Sequence, residues 1–196
     1  MARPQTVPDE DLIERLSKAF RTLGYNGASL ADLAAATGLS KAGLYHRFPG
    51  GKQQMAEEVL AAALQWYEDH IFAPLRSEGS PLKRLQAVAR ELDGFYDGGR
   101  TACLLNILSV APGEDSPFAE GVQSTFKTLI AVLADFARQA GHSREEAERR
   151  AQRTVMSLHG ALVLSRGLGS GAPFQSFLDG LSDELVGPRF SAGKTP

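Results

Sequence analysis

The stretch Ser29–Phe48, SLADLAAATGLSKAGLYHRF, decides the fold. Ser29 is a good N-cap, and Asp32, three residues on, completes a capping box with Asp in place of the usual Glu. Leu30, Leu33 and Ala34 recur at helical spacing and give one apolar face. Gly38 follows Thr37, at a position where a left-handed backbone costs glycine little. Leu39 is the apolar residue of the turn. Ser40 caps a second helix, which packs through Leu44, Tyr45 and Phe48 and is stopped by Pro49-Gly50-Gly51. Two short helices joined by a tight turn can set the second one into the major groove of DNA.

Working outward, Asp9–Gly24 reads as a longer amphipathic helix. Leu12, Leu16, Ala19, Phe20 and Leu23 share a stripe, with Arg15, Lys18 and Arg21 elsewhere. Three such helices make a small bundle that buries little surface alone, so it should lean on the helix that follows. That helix runs from Lys52 to about Ala73, where Pro74 should end or kink it. Further helices are expected over Leu82–Tyr96, Thr101–Val110 and Pro117–Ala140. The next runs from the Ser143 cap to about Arg166, and the last over Pro173–Val186. Pro112–Ser116 reads as a loop, and Gly167–Gly171 as a break. No strand alternation or internal repeat is evident, which makes the chain all-α with about nine helices.

The chain has 196 residues and a formal net charge of −2. Residues 1–55 carry seven Lys and Arg against five Asp and Glu; the remainder carries fourteen against eighteen. The basic excess is small but lies on the segment with the paired helices, and phosphate binding needs only a local patch. Cys103 is the only cysteine, so an intrachain disulfide is ruled out, and it reads as a small buried hydrophobe. No stretch is apolar enough for a membrane span, and no apolar signal region follows Arg3. A reducing cytoplasm is the expected location.

The pattern Tyr25-x-x-Ala28-Ser29-Leu30-x-x-Leu33-Ala34-x-Ala36-x-Gly38-Leu39-Ser40-Lys41-x-Gly43-Leu44-Tyr45-x-x-Phe48, with Lys52 just after, resembles the DNA-binding domain of the TetR/AcrR family of transcriptional regulators. The exit Phe48-Pro49-Gly50-Gly51-Lys52 resembles its LmrA/YxaF-like branch. Ala28 departs from the family, which often has a hydroxyl residue there; Ser29 stands next to it. The resemblance implies a helix-turn-helix domain at 1–52 and a ligand-binding and dimerisation domain at 53–188; residues 189–196, past the last helix, read as a mobile tail. It also implies a homodimer on palindromic double-stranded operator DNA, most often a repressor released by a small apolar or aromatic inducer. On the first domain, Ser29, Ser40, Lys41, Ala42, Gly43, Tyr45, His46 and Lys52 are the candidate DNA contacts. Lys41 is placed to reach a guanine edge or phosphate, Gly43 to allow close backbone approach, and Tyr45, His46 and Lys52 to bind phosphates.

For the second domain the resemblance implies an inducer pocket. Trp66, Tyr67, Phe95, Cys103, Ile107, Phe126, Met156 and Val163 are its candidate lining, with Asn106 and His159 as polar groups; plain core packing is the competing reading for the aromatics. The last two helices carry two apolar stripes: Ala151, Val155, Leu158 and Leu162, then Phe174, Phe177, Leu178, Leu181 and Leu185. By pattern they face either the chain's own core or a partner. The family's habit of dimerising through its last two long helices favours a partner.

No metal, cofactor or catalytic site is expected. His46, His70, His142 and His159 are isolated, and H-E-x-x-H, G-x-S-x-G and Walker motifs are all missing. The competing class is a helical protein–protein adaptor without ligand control, which would not need Lys41, Tyr45 and Lys52 grouped about a capped turn.

Overall fold

The computed structural model describes residues 8–109 and 116–187. The expected tail at 189–196 and most of the loop at 112–116 lie outside those residues. Among them every regular element is helical. The helices are α1 Asp9–Leu23, α2 Leu30–Thr37, α3 Lys41–Arg47, α4 Gly51–Tyr67, α5 Ala73–Arg76, α6 Pro81–Phe95, α7 Leu104–Leu108, α8 Ala119–Gln139, α9 Arg144–Leu168 and α10 Ala172–Val186.

Helix α4 does not stop at Pro74. It passes through a π-helical turn, Glu68–Phe72, directly into α5. Proline has no N–H to donate and its ring crowds the carbonyl four residues back, so an α-helix cannot run through it unchanged. The wider turn absorbs that clash: the Ala73 N–H reaches back to the carbonyl of Glu68. Counted as one rod, α4 and α5 bring the total to nine helices among the described residues.

The first three helices pack as the sequence expects. Leu12, Leu16, Phe20, Leu33, Leu44 and Phe48 are all buried, each worth about 1.5–3 kcal/mol when fully removed from water. Met55 and Val59 of α4 close the bundle, and the buried apolar cluster continues without a break to Val186. In the second domain α8, α9 and α10 pack side by side over α6 and the rod. Ser165 of α9 accepts a hydrogen bond from the Phe174 N–H at 3.1 Å, which ties α9 to the start of α10.

The stripes expected to face a partner lie inside this core. Ala151, Val155, Leu158 and Leu162 are buried, as are Phe174, Leu181 and Leu185; Phe177 and Leu178 are half-buried against the same cluster. The physical reason is competition. Helix α9 is apolar on two faces, and the one bearing small residues and β-branched side chains is taken by α8 and α10. The other face carries Met156, Val163, Leu164 and Leu168, which are 63%, 53%, 56% and 68% exposed.

Candidate nucleic-acid interface

Helix α3 is short and is positioned from both ends and from beneath. Ser40 Oγ accepts from the Gly43 N–H at 3.0 Å, capping its start. Leu44 and Phe48 are fully buried and lock the helix onto the bundle. The helix before it is closed by a full capping box: Ser29 Oγ accepts from the Asp32 N–H at 3.2 Å, and Asp32 accepts from the Ser29 N–H at 2.9 Å. The Ser29 hydroxyl also donates to the Asp32 carboxylate at 2.6 Å, and this bond, with the one from the Ser29 N–H, holds the Asp32 carboxyl below its usual range. Gly38 sits in the left-handed region at φ +74° and makes the turn.

With the helix so fixed, Lys41, Ala42, Tyr45 and His46 all point to solvent. Tyr45 is 48% exposed, so its ring is not part of the core. One side of it rests near Gly51, where an added Cβ would stand 3.5 Å from Tyr45 Cε1. That is an ordinary van der Waals distance; what favours glycine at this position is the backbone, with φ +66°. Ser29 and Ser40 are exposed too, but each hydroxyl already serves a cap. Arg47 turns away from this face: it pairs with Asp9 at 3.0 Å and Glu58 at 3.5 Å.

Lys52 is placed otherwise than expected. Its ammonium donates to the carbonyl of Tyr25 at 2.8 Å and to that of Ala28 at 3.0 Å, and it lies 4.7 Å from the Tyr25 ring centre. It is a clamp on the loop between α1 and α2 rather than a free phosphate ligand. Ala28 itself is buried and apolar, and the donor to its carbonyl comes from α4, beyond α2 and α3.

The candidate pocket residues separate into groups. Tyr67, Phe95 and Cys103 converge with Trp66. The Tyr67 and Tyr96 hydroxyls meet at 2.6 Å, and Tyr96 donates on to Cys103 Sγ at 3.4 Å. Burial raises both phenols above their ordinary pKa. Phe126 and His159 pair elsewhere, edge to face at 5.1 Å between α8 and α9. Neither imidazole nitrogen of His159 has a hydrogen-bond partner, and burial pushes its pKa down to about 4. Asn106 and Ile107 are half-buried on α7. Met156 and Val163 do not line a pocket at all; they are on the exposed face of α9. The interior is well filled. The apolar seam among Tyr67, Leu92, Leu129, Leu158 and Phe177 holds about 20 Å³ of free space, and the space beside Tyr96 and Cys103 about 10 Å³.

One residue at the junction of the domains was not singled out from sequence. Arg21 of α1 donates to the Ala102 carbonyl at 2.8 Å and lies 4.6 Å over the Phe95 ring. Phe95 stacks on Trp66 at 3.8 Å, and Trp66 on His70 at 5.0 Å. A column of four flat groups thus runs from α1 through α6 to the π-helical turn. Its only sequence signal was a cation off the apolar stripe of α1, which many surface arginines share.

Among the described residues no helix is long and apolar enough to cross a membrane, and no three His, Cys, Asp or Glu side chains gather as a metal site requires. Residues 12–59 match the family described as bacterial regulatory proteins, tetR family. Residues 81–179 match the C-terminal domain of LmrA/YxaF-like transcriptional regulators. The chain is similar to the HTH-type transcriptional regulator LmrA of Bacillus subtilis, with 24% identity over 80% of this chain and 85% of that one. In structure it is similar to a TetR-family regulator from Agrobacterium tumefaciens, with a TM-score of 0.75, 21% identity and coverage of 90% and 96% of the two chains. It is also similar to AibR, whose structure holds isovaleryl coenzyme A and operator DNA, with a TM-score of 0.65, 19% identity and coverage of 91% and 98%. A capped helix-turn-helix at the N-terminus and a matching second domain over half the chain lead to one conclusion: this protein belongs to the TetR family of DNA-binding transcriptional regulators, in its LmrA/YxaF-like branch.

Proposed function

We propose that this regulator is a homodimeric, ligand-responsive repressor acting in the cytoplasm on a palindromic operator. The observation that carries the DNA reading is the outward face of α3. Lys41, Ala42, Tyr45 and His46 are exposed on a helix that Ser40, Leu44 and Phe48 hold rigidly. Lys41 near the helix start is suited to a guanine edge or a phosphate, and the Tyr45 and His46 side chains to phosphates flanking it. Gly43, whose added Cβ would lie 3.4 Å from Ser40 Oγ, keeps the helix start slim for close approach.

A two-fold dimer supplies the second recognition helix. The face that supports it is the exposed stripe of α9. Met156, Val163, Leu164 and Leu168 are four of the six large apolar side chains exposed among the described residues. Gly160 and Gly167 lie between them with open space above, which lets a second helix come close. An apolar stripe of this length in water is a liability unless covered.

Repression is relieved in this reading by a small apolar or aromatic molecule in the second domain. The interior seam is nearly full, so a ligand there must part α6 from α8 and α9, and the rod α4–α5 carries that motion to α3. The coupling is reciprocal: operator DNA weakens ligand binding by the factor that ligand weakens DNA binding. Selection from a random-oligonucleotide pool tests the core of the proposal. A palindrome with half-sites about one helical turn apart is expected. Failure to enrich any sequence overturns the operator reading and favours a protein-binding adaptor.

A further inference from the structure

The continuous helix α4 joins the first domain to the second, and the end of α1 adds two side contacts. Arg21 reaches the Ala102 carbonyl at 2.8 Å. Just past the end of α1, the Tyr25 ring meets the Phe118 ring edge to face, at 4.9 Å and 78°. Phe118 is buried and stands immediately before α8, where its N–H donates to Ser116 Oγ at 3.2 Å. A single helical link leaves the lean of the bundle open; contacts away from its axis set it.

The corner that carries Tyr25 is tight. The Ala28 N–H donates to the Gly24 carbonyl at 3.1 Å. A Cβ at Gly27 would stand 2.4 Å from the Leu23 carbonyl oxygen, so the chain is drawn closely over the end of α1. The Tyr25 ring also faces the Lys52 ammonium at 4.7 Å, and that ammonium holds the Tyr25 and Ala28 carbonyls. Lys52 follows Gly51, beside which the Tyr45 ring rests. A line of contacts thus leads from the head of α8, through Tyr25 and Lys52, to the recognition helix.

We propose that Phe118 and Tyr25 are positioning residues for operator reading: their contact sets the angle of the first domain, and so the separation of the two recognition helices across a dimer. The inference rests on the reading of the chain as a dimeric operator binder, and neither residue need touch DNA. An edge-to-face ring pair has a preferred geometry, which suits a contact that must hold an angle. Base contacts tolerate errors of only about half an ångström, and in a two-fold complex both bundles must meet that limit at once.

Selection from a random-oligonucleotide pool with the unaltered protein supplies the palindrome. Fluorescence anisotropy then measures affinity for duplexes with the selected spacer and with spacers one base pair shorter or longer. One base pair turns a half-site by about 34° and shifts it by about 3.4 Å. The unaltered protein should prefer the selected spacing by about tenfold or more. Phe118→Ala and Tyr25→Leu should each bring the three spacings within about threefold, while affinity for a duplex with a single half-site changes by less than about twofold. Tyr25→Phe keeps the ring and should keep the preference. Leu133→Ala alters a buried residue of α8 about 22 Å along the helix from Phe118. It should lower stability and leave the preference intact, which separates positioning from a purely structural role. Tyr25 is only half-buried, so Tyr25→Leu decides the question even if Phe118→Ala does not fold. An unchanged spacing preference in Tyr25→Leu overturns the proposal, as does an equal loss of preference in Leu133→Ala; either leaves the operator reading standing. A pool that enriches nothing removes the operator reading and the positioning role together.

Discussion

Helix α3 turns Lys41, Ala42, Tyr45 and His46 to solvent, a short polar face; helix α9 turns Met156, Val163, Leu164 and Leu168, a long apolar one. The polar face needs no cover, because each of its groups is hydrated in the free protein and exchanges water for phosphate or base edges only at the moment of binding. The apolar face gains from permanent cover by burial of area. The difference teaches which contact is expected to be constitutive and which switchable. On the proposed reading, a dimer held through α9 is expected to persist while α3 engages and releases DNA.

The largest effect expected from breaking this contrast is on α9. Leu164→Glu places a charge in the covered stripe of each protomer. An unpaired buried charge costs about 3–5 kcal/mol, so the dimer dissociation constant should rise by about a thousandfold or more in sedimentation. The unfolding temperature of the monomer should barely change, because Leu164 is exposed within the chain. Leu162→Ala, two residues away on the buried side, should behave oppositely. It should lower monomer stability by about 2–5 kcal/mol in denaturant unfolding. If Leu164→Glu leaves the chain dimeric, the partner face lies elsewhere.

On α3, the double variant Lys41→Ala, Tyr45→Ala should weaken binding to the selected duplex by about tenfold or more, since a good base or phosphate contact is worth about 1–3 kcal/mol. Gel-shift titration checks this, with sedimentation showing an intact dimer; unchanged affinity removes α3 as the reading helix.

Lys52 separates a clamp from a DNA ligand. Hydrogen bonds to a charged group are worth about 1.5–3 kcal/mol, so Lys52→Met should cost roughly that in stability. As a clamp, the residue should leave the salt dependence of DNA affinity unaltered. A phosphate ligand would instead reduce the slope of log affinity against log salt by about one on removal. A changed slope with unchanged stability would return Lys52 to the DNA-contact set.

A smaller effect should come from acid. His159 is held neutral in the folded chain, with its pKa pushed down from 6.5 to about 4 by burial. Between those values the unfolded chain binds more protons than the folded one, so stability falls as pH falls through 6.5 and stops falling near 4. The loss between pH 6.5 and about pH 5 should be on the order of 1–2 kcal/mol per protomer. His159→Phe should flatten that part of a pH series of unfolding midpoints. A profile equally steep in the variant would assign the acid sensitivity to other groups.

The sequence made α2, the turn and α3 legible residue by residue, because caps, glycine turns and proline stops act on their nearest neighbours. Ser29, Asp32, Gly38 and Ser40 do in the structure what their chemistry requires locally. The π-helical turn was half legible: Pro74 announced a disturbance, but whether a helix ends there or widens and continues depends on what packs against it. The residues that read as pocket lining fall into four places, because an aromatic or apolar residue at helical spacing looks the same whether it faces a cavity, a core or solvent.

What the sequence by itself determined was the all-helical class, the capped pair at Ser29–Phe48 and the family to which they belong. The tertiary structure decided which apolar stripe of α9 turns inward, what the Lys52 ammonium holds, and how Arg21, Phe95, Trp66 and His70 come to share one column. Local conformation is set by covalent neighbours and by bonds across one helical turn. Those three outcomes are instead competitions between surfaces remote in sequence, settled only when the helices have packed and each face has either a neighbour or water.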